Sequence, residues 1–368
     1  MEFIVELARS DDDPAIRRLL AGNPVPGRIA VTFEREPNYF LGCTVMGGDC
    51  QVLVARHQST GELVGIANRV IRSLFINGQP QEVGYLSQLR VERRFRGRWL
   101  VSEGFRLLRQ LHEERPVPGC ITTLIDGNEE ALGVLVKSSR PHFPIYREIS
   151  RFCTLAIFVP TLRRLKRRSY DVCHGCESEL TAIGNFLKEY GPSRQFFPVY
   201  DGSDFQGSPK TRGFQVEDFL IVKESGRMLG VLGLWDQSSY KQTVVQSYTG
   251  WLGTIRPFYN VIARLAGRTT LPSPGQPVRS VYGSFVCVAN DNPEVFDALL
   301  QATCSLAAQR CHSTLALGLS VNDPLLPVAS RYRHVRYDGR LYTVSWRGEE
   351  DFHRRLDGRV PYLEIATL

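Results

Sequence analysis

A run of arginines around one glycine is the part of this sequence with the clearest potential for chemistry. The five arginines lie within nine residues: Arg90, Arg93, Arg94, Arg96 and Arg98. The apolar stretch before the run is typical of a strand, and the residues from Leu100 onwards are typical of an amphipathic helix. The first N–H groups of a helix have no internal partner and lie at the positive end of its dipole. Gly97 lets a ligand approach the backbone closely, so the junction predicts a phosphate or pyrophosphate site.

The elements around this junction predict a mixed α/β unit. The order is a helix, an antiparallel meander that begins with a hairpin, then strand–helix–strand, and the arginine run directly follows the third strand of the meander. The predicted ranges are strands at 51–56, 63–74, 83–91, 121–125 and 149–159, and helices at 15–20, from 100 onwards and at 129–137, and a short apolar run at 3–7 precedes them.

The second part of the chain repeats this order. Three pairs of segments match in sequence: 64–67 with 229–232, 126–132 with 320–326, and 151–155 with 340–344. The spacing between partners grows by about 29 residues after the first pair, which predicts an insertion at Ser239–Arg279. We therefore predict a duplicated fold, with one domain at 1–160, a basic linker at 161–176 and a second domain at 177–368.

From Val91 to Leu100 the sequence resembles the acyl-CoA loop of the GNAT superfamily of acyltransferases. In that family a Q/R-x-x-G-x-G/A turn holds the CoA pyrophosphate through backbone amides, and Arg94, Gly97 and Trp99 stand at the matching positions. Asn128 resembles the family's strand-end Asn. The resemblance implies a cofactor site formed by Leu89, Arg90, Val91, Arg94, Arg96, Gly97, Arg98, Trp99, Leu100 and Asn128.

The same resemblance implies a fold and a reaction. The fold is two GNAT-like domains, each a mostly antiparallel mixed sheet flanked by helices. The reaction is N-acyl transfer. The amine of a small molecule or a peptide directly attacks the thioester of acetyl-CoA or a longer acyl-CoA. The backbone near Leu89–Val91 would polarise the thioester carbonyl.

Two departures from the family pattern leave the donor and the acid open. Trp99 stands where the family has Gly or Ala, which is compatible with acyl-CoA or with the phosphopantetheine arm of an acyl carrier protein. The helix after Asn128 lacks the family's Tyr, which can protonate the leaving thiolate. Tyr146 is the substitute that lies nearby.

The second copy lacks the arginine–glycine turn and has the acidic segment 289–294 in its place. We therefore expect one cofactor site per chain and a second copy that shapes a substrate cleft. Two-copy arrangements of this kind resemble the protein N-myristoyltransferases, in which the C-terminal carboxylate acts as base, so Leu368 is a candidate base. Glu82 is another, since many family members place a carboxylate near this position.

We expect the insertion to supply aromatic side chains to the side of the substrate cleft that faces the thioester. Trp251, Phe258 and Tyr259 offer large contact areas to an apolar acceptor or an acyl chain. The alternative is that they anchor the insertion to its own domain.

Composition excludes several classes of protein. The chain has 368 residues, a formal charge of +7 and 43% hydrophobic residues, as globular proteins do. No apolar run approaches the roughly 20 residues of a membrane-spanning helix, and the start lacks signal-peptide features. Nine dispersed cysteines suit a reducing compartment. We expect a cytoplasmic protein with no membrane partner and no metal site.

A hypothesis from a different class is a non-catalytic binding module for nucleic acid or an acidic protein. It would use the arginine run and a second basic run at 163–168. Aromatic residues interleaved with the arginines would favour nucleic acid, and only Phe95 and Trp99 stand there.

Overall fold

Strands from both copies join into one continuous sheet. The computed structural model describes residues 2–97, 100–138, 140–159, 169–265 and 270–368. The first copy contains, in chain order, β1 (Phe3–Leu7), α1 (Asp13–Ala21), β2 (Ile29–Glu34), α2 (Tyr39–Met46), β3 (Asp49–His57), β4 (Leu63–Ile76), β5 (Gln79–Val91), α3 (Leu100–Glu114), β6 (Cys120–Ile125), α4 (Glu129–Ala131) and β7 (Ile145–Phe158). The second copy contains β8 (Val172–His174), α5 (Leu180–Tyr190), β9 (Phe219–Glu224), β10 (Arg227–Trp235), β11 (Gln242–Tyr248), α6 (Trp251–Leu265), β12 (Ser280–Val288), α7 (Pro293–Gln309), β13 (Thr314–Ser320), α8 (Leu326–Ala329), β14 (His334–Ser345) and α9 (Asp351–Arg354).

The predicted elements of the first copy are present, and most are longer than predicted. The helix predicted over 129–137 is the short α4 followed by a π-helical turn at Leu132–Val136. The sequence did not predict β2, α2, β11 or α6. Helix α2 is apolar on all sides, with five of its eight residues buried, so it lacks the one-sided periodicity by which a surface helix is recognised.

The twelve strands of the main sheet run in the order β1-β3-β4-β5-β6-β14-β7-β13-β12-β10-β9-β8. Each copy therefore receives its last strand from the other: β14 pairs with β6, and β7 pairs with β13. The predicted linker at 161–176 includes β8, which pairs with β9 at the edge of the main sheet, and the exchange of strands joins the two copies in space. The basic run 163–168 lies outside the described residues.

The exchanged strands β7 and β14 also pair with each other, and their register confirms the repeat. Arg151 is the direct cross-strand partner of Arg340, and these two residues open the segments matched in sequence. Two equivalent antiparallel strands that pair at equivalent residues lie about a local two-fold axis. The duplication read from the sequence is thus present in three dimensions.

The insertion lies where the spacing predicts it. The turn Asn77–Gly78 joins β4 to β5, whereas β11 and α6 lie between β10 and β12. Strand β11 pairs with β2 of the first copy in a separate two-stranded sheet. The insertion therefore lies against the first copy.

The sheet of the first copy has two faces, each covered by different helices. The α3 face carries Leu86 and Cys120, which pack against α3. The α2 face carries Ile66, which packs against α1 and α2, and Tyr85. Among the described residues, no helix has the length and apolar character needed to cross a membrane.

Candidate active site

Strand β5 of the first copy bends just before the arginine run. Its register against β4 shifts between residues 87 and 90, which is a β-bulge, and Gln88 there has a left-handed φ of 55°. On its other edge β5 pairs with the parallel strand β6 only over Gly84–Leu86. Beyond Leu86 the strands separate and leave a first cleft between them. Bulges of this kind are frequent beside active sites.

The first cleft has polar atoms without partners. Ser87 Oγ and Gln88 Oε1 are shielded from solvent and accept or donate no hydrogen bond. Within the described ranges, no side chain or loop backbone bonds to the N–H of Gln88 or of Leu89. Buried polar groups are nearly always paired in native proteins, but Ser284 Oγ at the matching position of the second copy is unpartnered as well, so the N–H groups of β5 are the feature that could receive a ligand.

The predicted anion turn follows at the end of β5. Gly97 has a φ of +75°, and a Cβ placed there would meet no atom within 4 Å. Phe95 anchors the turn, because it is buried against Phe3 with ring centroids 5.6 Å apart. One side of the turn is thus packed against buried residues, and its backbone at Gly97 is open. The other two predicted members, Arg98 and Trp99, lie outside the described residues.

The arginines of this turn are not free. Arg94 is paired with Glu62 and, at 2.7 Å, with Glu92. Arg96 is paired with Glu130 at 2.9 Å and also donates to the carbonyl of Val91 at 3.2 Å. Exposed pairs of this kind contribute little to stability, so the two side chains can exchange these carboxylates for phosphate oxygens.

The remaining predicted cofactor residues differ in exposure and in what they contact. Leu89 is exposed on the separated part of β5. Leu100 is buried with Phe95 and therefore supports the turn rather than contacting a ligand. Asn128 accepts a hydrogen bond from the Ala131 N–H at 3.1 Å, and the Arg96–Glu130 pair joins this helix start to the turn.

A second cleft lies at the matching place in the second copy. Strand β12 has the equivalent bulge, with Phe285 at a φ of 57°. It pairs with the parallel strand β13 only over Ser280–Tyr282. The backbone framework of the two clefts is the same.

The chain itself fills the second cleft. Phe285 N–H donates to Glu364 Oε2 at 2.8 Å, and Val286 N–H donates to Tyr362 Oη at 3.3 Å. On the β13 side, Ile365 packs so closely against Gly318 that a Cβ on that glycine would overlap it. Residues 361–368, which we call the tail segment, therefore occupy the position that is open in the first copy.

The second copy also has a shorter connection after its bulged strand. Four residues, 289–292, separate β12 from α7, whereas eight, 92–99, separate β5 from α3. Asn292 caps α7 by accepting from the Glu294 N–H at 2.9 Å. Asp291 is paired with Arg194 at 2.5 Å. The segment lacks an open glycine and presents a carboxylate.

Two of the three predicted catalytic residues lie away from the first cleft's open side. Glu82 is six residues before Gln88, about 20 Å along the strand, and is paired with Arg115 at 3.2 Å. Tyr146 packs on the α3 face, where burial raises the pKa of its hydroxyl. The structure does not bring these two residues together with Leu368.

Leu368 lies on the α2 face. Its side chain packs against the cluster that contains Tyr85. Its backbone oxygen accepts from Lys241 Nζ at 3.0 Å and from Arg35 at 3.3 Å. Cations from both copies therefore converge on this oxygen.

Further contacts extend this cationic group. Lys241 Nζ also donates to the Ala366 carbonyl at 3.0 Å and lies 4.7 Å from the centre of the Tyr282 ring. Burial, together with the charge of Arg35, lowers the pKa of Lys241 well below its usual range. Arg72 donates to Thr367 Oγ1 at 2.5 Å. The tail segment is thus held by charged donors on the α2 face.

Arg90 connects this group to the first cleft. Its place in the register beside Ile66 puts it on the α2 face. Burial, followed by the nearby charge of Arg35, lowers the pKa of Arg90. Its side chain donates to the carbonyl of Leu89 at 2.9 Å. We therefore place the Arg90 side chain toward the α2 face and only its backbone in the cleft.

A cavity of about 220 Å³ adjoins Lys241 and Tyr282. The insertion contributes part of its wall through Gln242 and Arg279. Gln242 also binds Glu36 of the first copy, accepting from its N–H at 3.0 Å. The insertion also contributes Pro277 and Val278, and the aromatic residues proposed from the sequence do not line the cavity.

The sequence analysis missed Arg35, Lys241 and Tyr282, and it missed the filling of the second cleft. Arg35 follows an unpredicted strand, and Lys241 lies in the insertion far from the arginine run. No local pattern marks either residue, because they meet only when β2 and β11 pair.

Solved structures with the same architecture are N-acyltransferases. No family model and no curated protein sequence matches the chain. The chain is similar to N-myristoyltransferase of Saccharomyces cerevisiae with bound myristoyl-CoA, with a TM-score of 0.63 and 10% identity over 94% of this chain and 79% of that one. It is also similar to a GCN5-related N-acetyltransferase from Sphaerobacter thermophilus, with a TM-score of 0.56 and 14% identity over 100% of this chain and 99% of that one.

A third similar structure contains the glucosamine N-acetyltransferase region of a fungal multi-domain β-N-acetylglucosaminidase. Its TM-score is 0.60, with 15% identity over 93% of this chain and 38% of that one. At these identities the likeness establishes the fold. The chain has the fold of these proteins, with two similar halves in tandem, and the predicted fold class is confirmed.

Proposed function

We propose that the protein is an N-acyltransferase that takes its acyl group from a CoA-type thioester in the first cleft and transfers it to an amine. The observation that carries the proposal is the contrast between the clefts. In the second copy the tail segment bonds to the N–H groups at the bulge, whereas in the first copy no described side chain or loop backbone bonds to the N–H of Gln88 or Leu89, and an open glycine turn follows.

The donor would lie along the separated part of β5. The backbone around Gln88 and Leu89 would bind the pantetheine arm and polarise the thioester carbonyl. The amides of the turn at Gly97 would receive the pyrophosphate, with Arg94 and Arg96 adding charge-assisted hydrogen bonds. Leu100 would hold the turn in place by packing.

The reaction would be a direct attack. The amine nitrogen forms a bond to the thioester carbonyl carbon, the C–S bond breaks, and the sulfur leaves with the electron pair as a thiolate. One proton leaves the attacking nitrogen and one is taken up by the sulfur. Positioning supplies most of the rate enhancement in such a transfer.

We place the acceptor on the α2 face, where Arg35, Arg90 and Lys241 lie between the cavity and the first cleft. Of the three candidate catalytic residues, Leu368 is the one on this face, and it serves as the base where it carries a terminal carboxylate. Arg35 and Lys241 would then orient that carboxylate. Glu82 and Tyr146, which lie elsewhere, have no direct part in this scheme.

The test is to incubate the protein with acetyl-CoA, longer acyl-CoAs or a loaded acyl carrier protein, together with small amines and peptides with free N-termini. Mass spectrometry would follow the acylated product, and calorimetry would follow donor binding. We expect saturable binding of one donor per chain and product from at least one amine. Failure of every donor to bind would overturn the proposal. Turnover with the carrier protein alone would assign the donor to that class.

A further inference from the structure

Helix α6 of the insertion carries its apolar side chains on the outside of the protein. Trp251, Phe258 and Leu265 are 66%, 71% and 86% exposed, and Ile255 and Ile262 are exposed as well. These residues follow one another at intervals of four, three, four and three, which places them in one stripe along the helix. Six of the thirteen exposed large hydrophobic residues in the described ranges belong to this one helix.

The inner side of α6 is held by polar contacts. Asn260 exchanges two hydrogen bonds with the backbone of Leu271, at 2.9 and 2.8 Å. Arg256 donates to Ser273 Oγ at 2.7 Å and lies over the ring of Tyr248. Ala263 is buried. The helix is therefore fixed with its polar side inward, the reverse of an ordinary surface helix.

The segment 237–290, which includes α6, contains basic residues and no acidic ones. From Gln237 to Asn290 the sequence contains no Asp or Glu, although the whole chain has 38. The same segment contains five basic residues, Lys241, Arg256, Arg264, Arg268 and Arg279, of which Lys241 bonds to the tail segment and Arg256 to Ser273. Apolar side chains within an all-cationic segment complement a surface that is apolar inside and anionic outside.

We propose that α6 is a docking helix that places this protein on an anionic lipid bilayer. Trp251, Phe258 and their neighbours in the stripe would enter the boundary between headgroups and acyl chains, and the basic segment would add attraction to anionic lipid. The helix would lie in the plane of the surface, because its 15 residues are too few to span a bilayer. This revises the expectation of no membrane partner, which rested on the lack of a spanning segment.

The test is co-sedimentation of the whole protein, without acyl-CoA, with vesicles of phosphatidylcholine alone and with vesicles that also contain phosphatidylserine. We expect binding to the anionic vesicles that weakens as salt is added. The triple variant Trp251→Ser, Phe258→Ser, Ile262→Ser should bind about tenfold more weakly. The matched control replaces three exposed hydrophobic residues elsewhere, Ile4→Ser, Val134→Ser, Val335→Ser, and should bind as the parent does.

A second readout uses Trp251 directly. Trp235 and Trp346 are buried, so brominated lipids in the anionic vesicles should quench the fluorescence of the parent more than that of Trp251→Phe. Absence of binding to anionic vesicles, or equal binding by the triple variant and the control, would overturn the proposal. A dimer of the parent that the triple variant loses in light scattering would assign the helix to self-association and would also overturn it. None of these outcomes depends on acyl transfer.

Discussion

The two clefts of the sheet have the same bulged strand and differ in what lies beside it. In the second cleft, Glu364 and Tyr362 satisfy the N–H groups of Phe285 and Val286. In the first cleft, no described side chain or loop backbone bonds to the equivalent N–H groups of Gln88 and Leu89. The bulge is therefore a property of the fold, and it does not by itself make a binding site. What distinguishes the copies is whether the separated strands are left for a ligand.

The filling of the second cleft follows from the cost of burying unpaired backbone groups. A buried N–H without a partner costs about 1–3 kcal/mol. A copy with no ligand to supply acceptors must take them from its own chain, and the tail segment supplies them. Four substitutions would test how the clefts differ in ligand binding, packing and stability. We expect the largest effect from the first substitution and the smallest from the last.

Replacing Gly97 with Val should weaken donor binding by about tenfold to a hundredfold, because a β-branched residue resists a φ of +75° and would project into the ligand's path. Calorimetry with acetyl-CoA measures the effect. Gly226→Val is the matched control, since Gly226 has a φ of +80°, has open space around it and lies in the β9–β10 turn. Equal affinity losses in the two variants would mean that Gly97 acts only through stability.

Replacing Gly318 with Ala should lower the free energy of unfolding by about 1–3 kcal/mol, since the added methyl overlaps Ile365. Denaturant unfolding measures the loss. Gly104→Ala, in α3 with no atom within 4 Å of its Cβ position, should not destabilise. Combining Gly318→Ala with Ile365→Ala should give less than the sum of the single losses. Full additivity would contradict close packing of the tail segment in the second cleft.

Replacing Lys241 with Met should reduce kcat/KM for the acceptor by about tenfold and leave donor affinity unchanged, because two charged hydrogen bonds to the tail segment are lost. Lys210→Met is the matched control. Lys210 also donates to a backbone carbonyl, that of Val199, and lies over a tyrosine ring, but its partners, Val199 and Asp204, lie outside the tail segment. If both variants lose activity equally, the placement of the acceptor is wrong.

Replacing Glu364 with Gln should change how stability depends on pH. Burial raises the pKa of Glu364 above its ordinary 4.5, so the protonated form is favoured in the folded protein. Its stabilising contribution is complete below the ordinary pKa and is lost as pH rises through the raised one. Gln stays neutral, so the Tm of Glu364→Gln should rise relative to the parent as pH increases. A Tm difference independent of pH would contradict a buried, proton-binding Glu364.

Local sequence patterns were enough to predict the repeat and the position of the turn at Gly97. The arginine–glycine run after an apolar strand predicted the open turn at Gly97, and three matched segments predicted the duplication. Arg151 and Arg340, matched in sequence, are direct partners in the sheet register. By contrast, Glu82 was chosen from its distance along the chain to the turn, and Tyr146 from its distance to the helix after Asn128. Such a distance does not determine the face of the sheet, and both lie away from the α2 face.

Periodicity, glycine turns and repeats act over a few residues, so the linear sequence was sufficient for most elements of the first copy, their order and the position of the insertion. Three features became visible only in the folded chain: which strands were exchanged, which cleft the tail segment fills, and the meeting of Arg35 and Lys241 at Leu368. These are contacts between residues far apart along the chain. They depend on pairing across the sheet and on burial, and no local spacing encodes either.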